Sequence, residues 1–263
     1  MPVILKSADE LTIMREAGRI VARAHQAMKE ALRPGISTLE LDQIAETVIR
    51  DHGATPAFLN YPGPSQDNPP FPGTITASIN DELVHGIPLA DRIVQEGDII
   101  SLDTACFYQG YVGDAAFTYA VGEVPPAVGR LIEVTERALY VGIEASVLPH
   151  TMRDVAQAIQ RYVQGQGYSV ARGYTGHGVG KAMHEEPEVP NWWSKRLEGR
   201  VLHNVPLQVG MTYALEPMVI AGRSDLEELA DQWTVVTKDG SLCAHFEHTI
   251  AITDGQPQIL TLP

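Results

Sequence analysis

The chain has 263 residues, with 33 acidic against 19 basic side chains and a net charge of −14, a balance that repels phosphate backbones and anionic membranes and argues against nucleic-acid and membrane partners. It is long enough for a substantial core, has no apolar run near the roughly 18 residues a membrane helix needs, and its 2 cysteines cannot form a disulfide framework. The N-terminal MPVILKSADELTIMREAG is too briefly apolar for a secretory signal, so a cytoplasmic protein is expected.

Residues 8–32 place Leu11, Met14, Ala17, Ile20, Val21 and Ala24 at the period of an amphipathic helix. After Pro34-Gly35, Ser37 or Thr38 opens a second helix carrying Leu41, Ile44, Ala45 and Val48, closed at Gly53. GDIISLD then runs as a strand from Gly97 to Asp103. The turn residues Gln109-Gly110 fold it back into GDAAFTYAV, so that Asp103 and Asp114 share one face of a hairpin. Pro125-Pro126 opens a third helix with Leu131, Ile132, Val134 and Leu139. Past Pro149, Thr151 caps a fourth with Val155, Ile159 and Val163, stopped by Gly165 and Gly167. Residues 191–208, NWWSKRLEGRVLHNVPLQ, read as a surface loop with Trp192 and Trp193 packed on the core. GMTYALE ends on Glu216, and FEHTIAIT carries Glu247.

These elements repeat. A helix pair, a His-Gly (His85-Gly86, then His177-Gly178), a Gly-led strand ending on an acid and a second acid-led strand occur in the same order twice. Such order points to a duplicated unit. The expectation is one α+β catalytic domain over 1–263, with pseudo-twofold halves near 8–122 and 123–253 forming a curved antiparallel sheet backed by helices.

YTGHGVGKAMHEEP, residues 174–187, is not a phosphate loop: Thr175 stands where its first Gly is needed, and Ala182 follows Lys181. Nor is it a zinc-protease helix, since Glu188 occupies the second His position and Pro187 falls where the helix interior would be. Two histidines, His177 and His184, survive as candidates. Asp103 ends an apolar strand, where an unpaired charge costs several kcal/mol, roughly. Four carboxylates drawn together, Asp103, Asp114, Glu216 and Glu247, cannot all ionise without cations, and a pair of divalent ions would neutralise them. With an imidazole, this donor set suits Mn, Fe, Co or Zn rather than calcium. Any one acid alone is as well explained by a basic partner or by water; the repeated pattern of four is not.

The stretches SINDELVHGIP (78–88), GDIISLDTACFYQGYVGDAAFTYAVG (97–122), YTGHGVGKAMHEEP (174–187), LEPMV (215–219) and DGSLCAHFEHTIAIT (239–253) resemble type I methionine aminopeptidases, a family with the pita-bread fold. The resemblance spans nearly the whole chain. It implies Asp103, Asp114, His177, Glu216 and Glu247 as ligands of two divalent ions (Co, Mn, Fe or Zn), bridged by Asp114 and Glu247. It implies a water activated between the ions as nucleophile, Glu216 as general base, His184 at the substrate carbonyl or peptide nitrogen, and His85 near the scissile bond. The implied activity removes the initiator methionine from nascent chains whose second residue is small.

The resemblance departs at the methionine pocket. Its aromatic and proline residues are compact in the family, whereas here NYPGPSQDNPPFPGTITASIN sets an insertion, 62–70, between Tyr61 and Phe71. Thr76 stands at a position often Cys, Met183 at one often Phe, and Trp233 matches a pocket tryptophan. The implied partners are nascent N-termini, with transient ribosome contact, and the chain is expected to be a monomer. Two alternatives differ in class: an Xaa-Pro peptidase of the same fold, disfavoured because the ligand-bearing segments arrive too early for that family's extra N-terminal domain, and a non-catalytic peptide-binding module, disfavoured because all five ligand types are present.

Overall fold

Helix starts follow the capping chemistry of the sequence. Ser7 accepts the Glu10 N–H and Glu10 accepts the Ser7 N–H in return; Ser37 and Glu40 repeat the exchange. At the fourth start, Asp154 accepts from both the N–H and hydroxyl of Thr151. The four helices are α1 (Ala8–Ala31), α2 (Thr38–Asp51), α3 (Pro126–Ala145) and α4 (Met152–Gly165). Pro126 suits its place at the head of α3, where a backbone N–H has no helical acceptor. The structure is a computed structural model describing residues 2–63 and 68–263. Met1 and the middle of the proline-rich insertion, 64–67, lie outside the described residues.

Each helix pair covers its own core. Val21, Met28, Leu41 and Ile49 pack with Ile100 and Leu102 in the first half. Leu139, Val155 and Ile159 pack with Tyr213, Leu215 and Ile250 in the second. Trp192 and Trp193 are buried in that second cluster, which anchors the 191–208 loop as expected. Among the described residues no helix is long and apolar enough to cross a membrane.

The first-half hairpin joins Ile99–Tyr108 to Tyr111–Ala120. Its two turn residues, Gln109 and Gly110, have φ of 48° and 83°, the left-handed pair that matches strand twist in a two-residue turn. Asp103 therefore faces Ala116 across the ladder, and Asp114 faces Ala105. Ile75–Ile79 pairs along the other edge, with Thr76 opposite Asp103. In the second half the antiparallel order is Gln258–Ile259, His248–Ala251, Thr212–Leu215, Gly176–Gly178, Glu185–Val189. Among the described residues the strands pair into four separate sheets rather than one unbroken sheet. The halves are stitched where the Glu247 N–H donates to Ala116 O at 2.8 Å and Thr249 Oγ1 bonds the Asp114 backbone in both directions.

Behind this seam His25 is buried, with Nε2 donating to Ala115 O at 2.8 Å and its ring edge-on to Phe117. Burial pushes its pKa down to about 4 from the ordinary 6.5. The native state thus binds fewer protons than the unfolded chain between those values, so His25 supports the fold above pH 6.5 and that support drains away as pH falls toward 4. The slope is at most about 1.4 kcal/mol per pH unit. Urea unfolding of metal-free protein at several pH values should show a shallower acid loss in His25→Gln than in the parent. Identical slopes would refute the assignment.

Candidate metal centre

The strands deliver the acids to one place. Asp103 and Asp114 come from the middle of the hairpin, Glu216 from the residue after Thr212–Leu215, and Glu247 from the turn before His248–Ala251. His177 is the central residue of Gly176–Gly178, threaded between two neighbouring strands. Its flanking glycines are required by close backbone approach: a Cβ on Gly178 would lie 2.2 Å from Glu186 O, and one on Gly176 would lie 2.3 Å from Ala214 O. YTGHGVGKAMHEEP is thus two strands and a loop, with no helix in it.

These five residues line one cavity of about 200 Å³. His85, His184, Tyr61, Phe71, Thr76, Met183 and Trp233 line it as well, so the structure brings together every residue singled out from the sequence.

The four carboxylates in this cavity cannot all ionise without a cation. His177 Nδ1 lies 3.1 Å from Gly178 O; a carbonyl only accepts, so Nδ1 carries the proton and Nε2 presents a bare lone pair. Burial pushes the His177 pKa down to about 3, so the ring is neutral. That lone pair faces Asp114 Oδ2 and Glu216 Oε1, each at 3.6 Å. Asp103 Oδ1, Asp114 Oδ1 and Glu247 Oε1 are buried without a hydrogen-bond partner among the described residues. Burial, followed by the neighbouring carboxylates, raises Asp103, Glu216 and Glu247 well above the usual carboxylate range; burial lifts Asp114 to about 7.

Asp114, His177 and Glu247 offer ligand atoms all within 4.8 Å of one another. A lone pair and converging buried carboxylate oxygens are the surroundings a divalent ion stabilises, and such an ion inverts these pKa shifts by favouring the ionised forms. The residues fit a metal, through a donor set that mixes carboxylate oxygens with an imidazole nitrogen.

Around the carboxylates the wall is aromatic. Trp233 stands edge-on to Phe71 and to His85, and His85 is also edge-on to Tyr174. His85 has a φ of 61°, in the left-handed region. The insertion does not pull Tyr61 and Phe71 apart. The Asn60 N–H donates to Phe71 O at 2.8 Å and the Phe71 N–H to Tyr61 O at 2.9 Å, so the loop closes on itself and leaves both rings in the cavity. From the same loop, Pro69 O accepts the Trp233 indole N–H at 3.0 Å.

Three features escaped the sequence reading. His245 lines the cavity, buried, with Nε2 3.6 Å from Glu216 Oε2. Two-residue alternation with Glu247 was the available signal. Phe58 and Tyr174 complete the apolar wall, but from irregular segments that carry no periodic signal. Glu185, next to His184 in sequence, is a structural anchor: it pairs with Lys6 and accepts the N–H groups of Lys181 and Ala182.

Residues 12–254 match the metallopeptidase family M24. The chain belongs to that family. Among its M24 relatives, methionine aminopeptidase 1 of Bacillus subtilis is 48% identical over 98% of this chain and 99% of its own length. The methionine aminopeptidase of Clostridium acetobutylicum is 44% identical over 99% of both. The crystal structure of methionine aminopeptidase from Thermotoga maritima superposes with a TM-score of 0.92 at 37% identity, covering all of both chains, which places this M24 chain in the pita-bread fold. Prolidase from Pyrococcus furiosus shares the fold alone, with a TM-score of 0.77 at 21% identity over 66% of its length.

Proposed function

We propose that this M24 peptidase removes an N-terminal methionine from nascent chains and peptides whose second residue is small. The observation that carries the reading is the junction of a buried donor cluster, Asp114, His177 and Glu247, with a pocket walled by Phe71, Met183 and Trp233. The aromatic and thioether wall suits an unbranched apolar side chain. Free N-termini of newly made chains are the natural substrates, which makes the task a cytoplasmic one.

Asp103, Asp114, His177, Glu216 and Glu247 would hold two divalent ions, with Asp114 and Glu247 shared between them. Bound there, the ions supply positive charge that lowers the pKa of water and polarises a carbonyl. Glu216, reaching the cavity at the end of its strand, takes the proton of the attacking water. His184, at the cavity rim, offers a ring N–H to the substrate carbonyl. His85, braced by Tyr174 and Trp233, faces the region of the departing peptide nitrogen. The aromatic wall shapes the pocket for one terminal side chain.

Manganese or cobalt added to metal-free protein should release methionine from Met-Ala-Ser and leave Leu-Ala-Ser and Gly-Pro intact. Cleavage of Gly-Pro alone would favour an Xaa-Pro peptidase, and silence with every metal would favour a non-catalytic module; either result refutes the proposal.

A further inference from the structure

The Tyr61 hydroxyl lies 2.6 Å from His184 Nδ1. It is the sole hydrogen bond of the His184 ring among the described residues, and the Tyr61 hydroxyl has no other partner there. The imidazole is otherwise held between two rings, tilted against His177 at 4.2 Å and edge-on to Tyr61 at 5.4 Å between centroids. Its own position is exposed to solvent.

We infer that Tyr61 is a positioning residue: its hydroxyl donates to His184 Nδ1, fixes the neutral tautomer with the proton on Nε2, and aims that N–H into the cavity. The inference rests on the proposed aminopeptidase reading, in which His184 serves the substrate carbonyl. The direction of the bond follows from elimination. A phenol proton turned away from Nδ1 would meet no protein acceptor among the described residues, whereas a proton on Nδ1 would leave Nε2 bare beside a cavity already rich in carboxylate oxygens. Burial raises the Tyr61 pKa, which keeps the phenol protonated. With Nδ1 accepting, a neutral imidazole must carry its proton on Nε2. The histidines then form complementary tautomers: His177 protonated on Nδ1 with a bare Nε2 for a cation, His184 bare on Nδ1 with a protonated Nε2 for a carbonyl oxygen.

The residues flanking the proline-rich insertion hold Tyr61 for this role. Asn60, with a φ of 64°, turns the chain at the loop base, and the two backbone bonds between Asn60, Tyr61 and Phe71 clamp Tyr61 on both sides. A ring clamped in this way holds its hydroxyl in place for a partner that is itself exposed.

The decisive readout is the tautomer of His184 in metal-free protein at about pH 8, where an imidazole is neutral, read from long-range proton–nitrogen correlations of ¹⁵N-histidine-labelled protein and assigned by the signal missing from His184→Asn. The parent should show a protonated Nε2 and a bare Nδ1. In Tyr61→Phe, which keeps the ring and loses only the hydroxyl, the two nitrogen shifts should move toward each other as the tautomers mix. In metal-loaded enzyme, Tyr61→Phe should lower kcat roughly tenfold to hundredfold with little change in KM. The same change made in a His184→Asn background should have no further effect. A protonated Nδ1 in the parent, an unchanged pattern in Tyr61→Phe, or additive losses in the double variant would each overturn the inference. The spectra need no turnover, so an inactive preparation leaves this test standing, while an active enzyme with unchanged spectra defeats the tautomer assignment alone.

Discussion

Asp114→Asn should cost the protein at least one of its metal sites and lower kcat/KM by roughly a thousandfold or more, about 4 kcal/mol of transition-state stabilisation. Asp114 is the carboxylate with most to lose. It belongs to the set whose ligand atoms lie within 4.8 Å of one another, and it faces His177 Nε2 at 3.6 Å. Its charge also acts on Asp103, Glu216 and Glu247. Asparagine keeps the shape and one acceptor oxygen but removes the negative charge and the second acceptor a bridging ligand needs.

The stability effect should have opposite signs in the two metal states. Without metal, the Asp114→Asn change relieves repulsion among buried carboxylates, so the variant should unfold at or above the parent's midpoint. With metal at about a hundred times its Kd, the parent gains about 2.7 kcal/mol from the ion, and the variant should gain much less. Calorimetric titration with manganese, paired with thermal melts in both states, measures both quantities. An unchanged titration stoichiometry and affinity would rule Asp114 out as a ligand.

The metal centre was legible in the sequence because duplication writes the same statement twice. One strand ending on an acid means little, whereas Asp103 and Glu216 ending matched strands, with Asp114 and Glu247 following, fixes which acids converge. The hairpin was legible because Gln109-Gly110 names its own turn geometry. The consequences of the insertion between Tyr61 and Phe71 were hidden, since its closure depends on backbone hydrogen bonds from Asn60 and Phe71 that leave no mark on side-chain pattern. His245 was missed for a different reason. Its period-two relation to Glu247 was visible, yet histidines abound in this region, and only packing shows which of them turns toward Glu216. Glu185 illustrates the converse: an acid directly beside a candidate histidine invites a metal role, yet its partners are Lys6 and the N–H groups of the preceding loop.

That ion pair carries the second large expectation. Lys6→Met should destabilise the fold by about 3–5 kcal/mol, because it leaves a buried carboxylate without its counterion. The side chains of Lys6 and Glu185 are only 3% and 6% exposed. Lys6 also donates to Ile4 O, while Glu185 holds the Lys181 and Ala182 N–H groups. For a chain of this size the loss is a drop in melting temperature of roughly 10 °C. Glu185→Gln should cost a similar amount: the amide oxygen still accepts the two backbone N–H groups, but the buried Lys6 ammonium is left without its counterion. The double variant should be more stable than the sum of the single losses predicts, because Lys6→Met does its damage chiefly through the stranded charge.

The pair also reaches the site. Glu185 follows His184 directly and ties down the turn that leads into it, while Lys6 comes from the segment before α1. Loosening this tie lets His184 wander from Tyr61, so Lys6→Met at a temperature well below its melting point should lower kcat while metal affinity, set chiefly by acids on the Ile99–Tyr108 and Tyr111–Ala120 hairpin and at the ends of Thr212–Leu215 and His248–Ala251, stays near the parent's. Urea unfolding within about 0.5 kcal/mol of the parent would show that the pair is a surface contact in energetic terms; a loss of metal affinity equal to the loss of kcat would show that the anchor serves His177 rather than His184.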